Sequence, residues 1–339
     1  MILVTGATGL VGSHLLYHLL EKEASVIALF REGSDREQVR QVFRYYTSEA
    51  DAYFDRIEWR MADINDVPAL EAAFQKVTQV YHCAALISFD PKDYNLLKKV
   101  NVEGTANVVN LCLSHHIQKL CYVSSIATLG TAVKGTAISE ETHWNSEGEN
   151  SVYAIAKYGA EMEVWRGSQE GLQVVIVNPG VIIGEGHWDS ASAAVIKTGT
   201  SGIPIYTSGT LALVDVQDVV HVMVQLMHRP ISQERFLLVG ATLPYQELLS
   251  FTAQLAGKKP PRIFIAQWKM QLISAIEGVL RFMFRWKRKL SPATVRSMYA
   301  QEEYDASKIK ETLSFRFTPI NETLQRVVRR YQESSDSTD

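Results

Sequence analysis

Cysteine is scarce in this chain. Its 339 residues hold three, Cys83, Cys112 and Cys121. None is spaced as CxxC or as another metal-ligand pair, and no metal is expected. Their odd number and apolar neighbours read as buried free thiols in a reducing compartment. An excess of one charge is also missing. Lys and Arg number 34 against 37 Asp and Glu, a formal net charge of -3. That leaves no basic footprint able to track a phosphate backbone, so nucleic acid is not an expected partner. No apolar run is long and uninterrupted enough for a transmembrane span. There is no GKS/GKT phosphate loop, no HExxH and no GxSxG elbow. The chain opens on Ile2-Leu3-Val4 with no charged n-region, h-region or cleavage site, and is read as cytoplasmic.

What is present alternates. Short runs rich in Val, Ile and Leu fall at 1–4, 26–30, 57–61, 80–83, 120–123 and 174–177. They do not alternate polar with apolar, which suits strands buried on both faces of a parallel sheet. Helix-length segments lie between them at 10–22, 36–46, 67–76, 94–115 and 151–169. Repeated strand–helix units predict an α/β fold, a doubly wound parallel sheet of the Rossmann kind. Beyond Pro179-Gly180 the pattern loosens into Gly- and Thr-rich loops and further helices. The expected division is a dinucleotide-binding domain with the catalytic residues over 1–178 and a smaller α+β substrate lobe over 179–332. Some segments of that lobe should return to the sheet, and a Ser/Asp-rich tail at 333–339 is expected to be disordered.

Residues 268–289 place apolar side chains at helical spacing and end on Arg281, Arg285, Lys287, Arg288 and Lys289. Two readings are open. One is an amphipathic helix packed on the C-terminal lobe with a dipole-compatible basic end. The other is a helix lying on a membrane surface. Gln271, Glu277 and Arg281 exclude a span.

The run Thr5-Gly6-Ala7-Thr8-Gly9-Leu10-Val11-Gly12 joins the first strand to the first helix. Gly6 permits a tight turn, Gly9 lets backbone approach a pyrophosphate, and Gly12 lets the helix pack close to the strand. The helix N-terminus, opened by Leu10 and Val11, offers N–H groups and the positive dipole end to phosphates. A nicotinamide dinucleotide is the expected cofactor. The second strand ends Leu29-Phe30-Arg31-Glu32, with Phe30 where an NAD site would carry Asp. Arg31 could pair with a 2′-phosphate and stack on adenine, which favours NADP(H) and leaves NAD(H) open. The other reading of Arg31 is a solvated pair with Glu32 or Glu37.

Tyr153-Ala154-Ile155-Ala156-Lys157 sets Tyr and Lys four apart, on one face of a helix. Tyrosine has a pKa of about 10, too high for proton exchange at neutral pH unless a nearby cation favours phenolate. Lys157 is the expected source of that shift. The fifth strand ends Tyr122-Val123-Ser124-Ser125, and one of the two serines could steady a substrate oxygen.

The GxxGxxG spacing and these segments together resemble the short-chain dehydrogenase/reductase superfamily, extended type, the NAD-dependent epimerase/dehydratase group. Asp63-Ile64 after the third strand resembles the adenine-binding pair of that family. His82-Cys83-Ala84-Ala85 resembles its segment beside the cofactor, through Ala84 and Ala85. Asn101 resembles the helix asparagine that supports the catalytic site. Pro179, in Asn178-Pro179-Gly180, keeps the family form and joins the cofactor-binding set with Thr8. The resemblance also implies that Lys157 holds the nicotinamide ribose. It selects Ser125 over Ser124 as the substrate-oxygen donor, with Ser124 as the fallback.

Within that family the sequence looks most like dihydroflavonol reductase-like and 3β-hydroxysteroid dehydrogenase-like members. Ser124-Ser125-Ile126 lacks the Thr-Asp-Glu of 4,6-dehydratases. Leu211–Asp218 lacks the Arg and His that epimerases place near a sugar-nucleotide diphosphate. The implied function is NADP(H)-dependent reduction of a ketone or aldehyde to an alcohol. A nucleotide-sugar epimerase and a non-catalytic NADP-sensing regulator are the alternatives. Trp188, Ile203, Tyr206, Trp268 and Phe284 are candidates for an apolar substrate pocket. A homodimer through the helices carrying Asn101 and Tyr153 is compatible with the resemblance.

Overall fold

The computed structural model describes residues 1–131, 136–190, 192–284 and 292–336. Twelve strands occur among them: β1 Ile2–Thr5, β2 Val26–Phe30, β3 Ile57–Met61, β4 Gln79–His82, β5 Lys119–Val123, β6 Val174–Pro179, β7 Val181–Ile183, β8 Ile205–Tyr206, β9 Thr210–Asp215, β10 Glu234–Leu238, β11 Ala241–Pro244 and β12 Ile263–Phe264. Seven build one sheet in the order β10-β6-β5-β4-β1-β2-β3. Every pairing in it is parallel. The six apolar runs of the sequence are β1 to β6, each within about two residues of its expected ends, in keeping with the usual looseness of strand limits.

Strand polarity explains the layering. Ile2 and Val4 face one apolar cluster, together with Leu15, Leu16 and Val220. Leu3 faces the other, with Ile27, Val80 and Val108. A strand covered on both sides has no solvent face and so carries no alternation. The strand order reverses between β1 and β4, whose C-terminal ends therefore open on a crevice, the usual ligand position in such sheets.

Three departures from the sequence reading have local causes. The 94–115 segment is divided into helical turns Tyr94–Leu97 and Gly104–Ser114 with a π-helical stretch, Lys98–Glu103, between them. Asn101 lies in that stretch, and its side chain leaves the helix to bind another segment. β10 at the sheet edge begins with the polar pair Glu234 and Arg235 and was not distinguished as a sheet strand by composition. The final helix, Ile320–Asp336, runs on through part of the stretch expected to be disordered. Its last turn is held by Arg330 to Glu333 at 3.0 Å and by Ser334 and Ser335 hydroxyls on the Tyr331 carbonyl. Residues 337–339 lie outside the described residues.

After β6 the chain builds a three-stranded sheet, β11-β9-β7, and the pair β12-β8. Asp215 and Asp218, in the run that lacks the epimerase Arg and His, hold the C-terminal segment. Asp215 accepts from Arg326 and Thr323, and Asp218 accepts from the backbone and hydroxyl of Thr318. No helix of the described residues is long and apolar enough to cross a membrane.

Candidate active site

The glycine turn leaves β1 at the crevice. Gly6 has φ +64°, and a β-carbon there would meet the Ala84 nitrogen at 2.6 Å. Both facts require glycine. A β-carbon on Gly12 would overlap the Gly6 carbonyl oxygen, so the helix Leu10–Leu20 sits directly on the turn. Gly9 is the N-cap of that helix, and no side chain caps it. The first-turn N–H groups of Leu10 and Val11 thus belong to an end with no side-chain acceptor of its own. This cradle fits a pyrophosphate.

A cleft of about 380 Å³ adjoins it, lined by Gly6, Thr8, Gly9, Arg31, Asp63, Ile64, Ala84 and Ala85 among others. Eight residues named from the sequence therefore share one cavity. Cys83 also lines it, and burial pushes its thiol up to about 12. Ile64 packs against Gly104 so closely that a β-carbon on the glycine would lie 2.5 Å from it. Arg31 is 66% exposed at the mouth and lies 3.9 Å from the carboxylate of Asp63, itself 42% exposed. Such a solvated pair is weak and readily exchanged for a phosphate. Arg36, not singled out by sequence, stands over the Phe30 ring at 4.7 Å. Pro179 ends β6 in register with Leu238, away from the lining of this cleft.

His82 is fully buried and holds β1 to the helix beyond β4. Its Nδ1 pairs with the Thr5 hydroxyl at 2.6 Å and its Nε2 with the Thr105 hydroxyl at 3.0 Å. Burial lowers its pKa to about 3, with the Lys157 charge adding to the shift. Asn101 accepts from the Leu86 N–H at 2.7 Å and donates to the Leu86 carbonyl at 2.9 Å. It therefore fixes the backbone just after Ala84-Ala85 and reaches the cofactor side of the crevice through that loop.

Tyr153 and Lys157 project from the helix Val152–Gln169, whose N-cap Ser151 accepts from the Ala154 N–H at 3.1 Å. Ser125 lies beside the Tyr153 hydroxyl, and its own Oγ accepts from the Ala127 N–H at 3.1 Å. Phe89 flanks the Tyr153 ring, with centroids 5.4 Å apart. Ser124 turns the other way and donates to the buried Glu161 at 2.6 Å. The two serines thus separate: Ser125 joins Tyr153, and Ser124 serves a buried carboxylate.

The expected electrostatics differ in one respect. Burial raises the Tyr153 pKa, and the Ser125 hydrogen bond opposes this. Lys157 does not supply the lowering expected of it. Its ammonium is buried and donates to the Tyr122 hydroxyl at 2.7 Å and the Val123 carbonyl at 2.8 Å. Desolvation lowers its pKa to about 7, against the opposing pull of Glu161.

Glu161 went unrecognised in the sequence. It is fully buried, one helical turn beyond Lys157, and receives Ser124, Thr128 at 2.7 Å, Asn178 at 2.9 Å and Arg235 at 3.2 Å. Only its spacing of four from Lys157 could have marked it. The pocket candidates do not converge. Trp188 lies near Tyr331 in the C-terminal lobe, Tyr206 lies near Phe264, and Trp268 is 62% exposed. Ile203 is half-buried. The side chain of Phe284 lies outside what is described. Among the described residues no group of His, Cys, Asp and Glu is arranged for a metal.

The model of the NAD dependent epimerase/dehydratase family matches residues 2–239. A putative dihydroflavonol 4-reductase of Synechocystis sp. is 27% identical over 97% of this chain and 94% of its own length. Cinnamoyl-CoA reductase 1 of Oryza sativa is 28% identical over 77% of each chain. Among solved structures, gox2253 superposes with a TM-score of 0.81 at 26% identity, covering 98% of both chains. The Thermus thermophilus UDP-glucose 4-epimerase in complex with NAD gives 0.73 at 19% identity, also over 98% of both, and shares the fold.

Proposed function

The chain belongs to the NAD dependent epimerase/dehydratase family of NAD(P)-dependent enzymes acting at CH–OH and C=O carbons, and on that premise we propose that it reduces a ketone or aldehyde to an alcohol with NADP(H). The observation carrying this reading is the placing of Ser125 beside the Tyr153 hydroxyl, with the buried Lys157 one helical turn from Tyr153. A nicotinamide cofactor supplies the hydride when bound. Residues 1–178 hold the cofactor and the catalytic groups, and 179–332 supply most of the substrate lobe.

Gly6, Thr8, Gly9, Leu10, Val11 and Gly12 cradle the pyrophosphate. Asp63, Ile64, Ala84 and Ala85 border the remainder, and Arg31 faces the 2′-phosphate. Ser125 steadies the substrate oxygen by donating its hydroxyl. Tyr153 gives that oxygen its proton, and a high phenol pKa keeps the proton in place until negative charge develops. Lys157, now on Tyr122, turns to a ribose hydroxyl and Tyr153 when the cofactor binds. Asn101 holds the Leu86 loop beside this site, and Pro179 closes β6 behind it. The reductase names among the relatives and the absent diphosphate Arg favour this reading over an epimerase.

The three free thiols support a reducing, cytoplasmic setting. Exposed Leu96, Ile155 and Met162 on the helices near the site support packing against a second copy. The test is NADPH oxidation with a panel of ketones, aldehydes and UDP-sugars. Carbonyl-dependent oxidation by wild type and its loss in Tyr153→Phe support the reading. Tightly held NAD with UDP-sugar turnover contradicts it.

A further inference from the structure

At its described positions the helix Gln267–Phe284 turns most of its apolar side chains outward, the wrong side for a packed helix. Met270 and Ser274 are its buried positions among those described, at 5% and 3% exposure. Trp268, Leu272 and Ile276, spaced by four, are 62%, 55% and 52% exposed, with Ile273 beside them at 44%. Ile263 and Phe264 in β12 add 57% and 50% exposed positions just ahead of the helix. A helix face that leaves a serine inside and a tryptophan outside is not explained by packing among the described residues.

Charge is segregated into the same segment. Of the 34 Lys and Arg and 37 Asp and Glu in the chain, nine basic and one acidic residue fall within 258–289, leaving 25 against 36 elsewhere. Lys258, Lys259, Arg262 and Lys269 are exposed around the apolar band. Arg285, Lys287, Arg288 and Lys289 belong to this count by sequence and lie outside the described residues. Self-association through a twofold axis would set two strongly basic segments face to face, which opposes a second copy as the occupant. A surface that is apolar below and anionic above satisfies both features at once.

We propose that the 263–276 face docks on the anionic surface of a lipid bilayer, with Ile263, Phe264, Trp268, Leu272 and Ile276 entering the headgroup boundary. The proposal is independent of the reaction assigned above. It differs from a membrane span, which this helix does not provide.

Co-sedimentation with vesicles tests it, using phosphatidylcholine alone and an equimolar mixture with phosphatidylglycerol. The full chain is expected to pellet with the mixed vesicles and remain in solution with phosphatidylcholine. Raising the salt should release it, because exposed charges are screened. The double variant Leu272→Asp/Ile276→Asp should partition about tenfold less or lower, with unchanged circular dichroism. If that variant misfolds, Lys258→Glu/Lys259→Glu reads the charge contribution by the same assay. No pelleting on anionic vesicles, equal pelleting on neutral ones, or undiminished binding by folded variants would overturn the proposal. So would a dimer in solution that the Leu272/Ile276 substitutions dissolve.

Discussion

The ammonium of Lys157 lies 2.7 Å from the hydroxyl of Tyr122, so the lysine one turn beyond Tyr153 is engaged by the strand beneath it. The Tyr122 ring stacks on His82, with centroids 5.4 Å apart, and His82 meets the hydroxyls of Thr105 and of Thr5 at the root of the glycine turn. Lys157 is therefore held by groups that also hold the cofactor crevice together. Its pKa of about 7 arises from burial. Protonated Lys157 is required in the proposed reduction, so kcat/KM should fall as the pH rises through about 7. Glu161 pulls this pKa upward. In Glu161→Gln the falling limb should move to lower pH, and a pH profile of NADPH-dependent reduction measures the shift. An unchanged limb would remove Glu161 from the control of Lys157.

Tyr153→Phe retains the ring beside Phe89 and removes the hydroxyl beside Ser125. Losing a general acid lowers kcat by roughly 10²- to 10⁴-fold. Cofactor affinity should change little, because the glycine cradle and the Arg31 mouth are untouched. Steady-state turnover with NADPH titration by fluorescence separates the two. Comparable losses of turnover and cofactor binding would place Tyr153 in the cofactor site instead.

Arg31 is exposed, and its partner Asp63 stands at the outer limit of an ion pair. A 2′-phosphate offers it a stronger, charge-assisted partner. Arg31→Ala should lower kcat/KM for NADPH by about 10- to 100-fold, the range expected for one lost charged hydrogen bond. NADH has no phosphate to lose and should be nearly unaffected. Parallel assays with both cofactors decide this. Equal losses with both would assign Arg31 to folding or to the adenine instead of to the phosphate.

The readable parts of this chain were those governed by local rules. β1 to β6 showed themselves because strands buried on both faces are apolar throughout. The turn showed itself because Gly6 and Gly12 leave no room for a β-carbon, which narrows the residue choice to one. The helical repeat placed Tyr153 and Lys157 one turn apart on a single helix. The Glu161 cluster obeys no such rule. Its partners Asn178 and Arg235 come from β6 and β10 and its partners Ser124 and Thr128 from the segment just after β5, and only the sheet order assembles them. The division of the 94–115 helix was equally hidden, because Asn101 is drawn to Leu86 by a contact outside its own helix. Composition misjudged residues 333–336, where Arg330 and Glu333 stabilise a turn that Ser-rich sequence alone would not. It also misjudged Trp268, an aromatic that faces outward.

Acid should destabilise the fold through its buried histidines. His14 and His187 are lowered to about 4 and His82 to about 3, each with burial as the leading cause. A histidine free in the unfolded chain titrates near 6.5. As the pH falls below that value the unfolded state takes up protons that the folded state refuses. Stability is therefore fully present above about 6.5 and is lost progressively toward the folded pKa values. Between about pH 5.5 and 4.5 three such protons give a slope on the order of 4 kcal/mol per pH unit. His82→Gln keeps a hydrogen-bonding side chain between Thr5 and Thr105 and removes one titrating group. The variant should start less stable at pH 7 and lose about 1.4 kcal/mol per pH unit less than wild type on acidification. Urea unfolding at pH 7, 5.5 and 4.5 gives both slopes. Parallel curves for the two proteins would mean that His82 takes up its proton within the folded state, and that the hydrogen bonds from Thr5 and Thr105 do not keep it neutral.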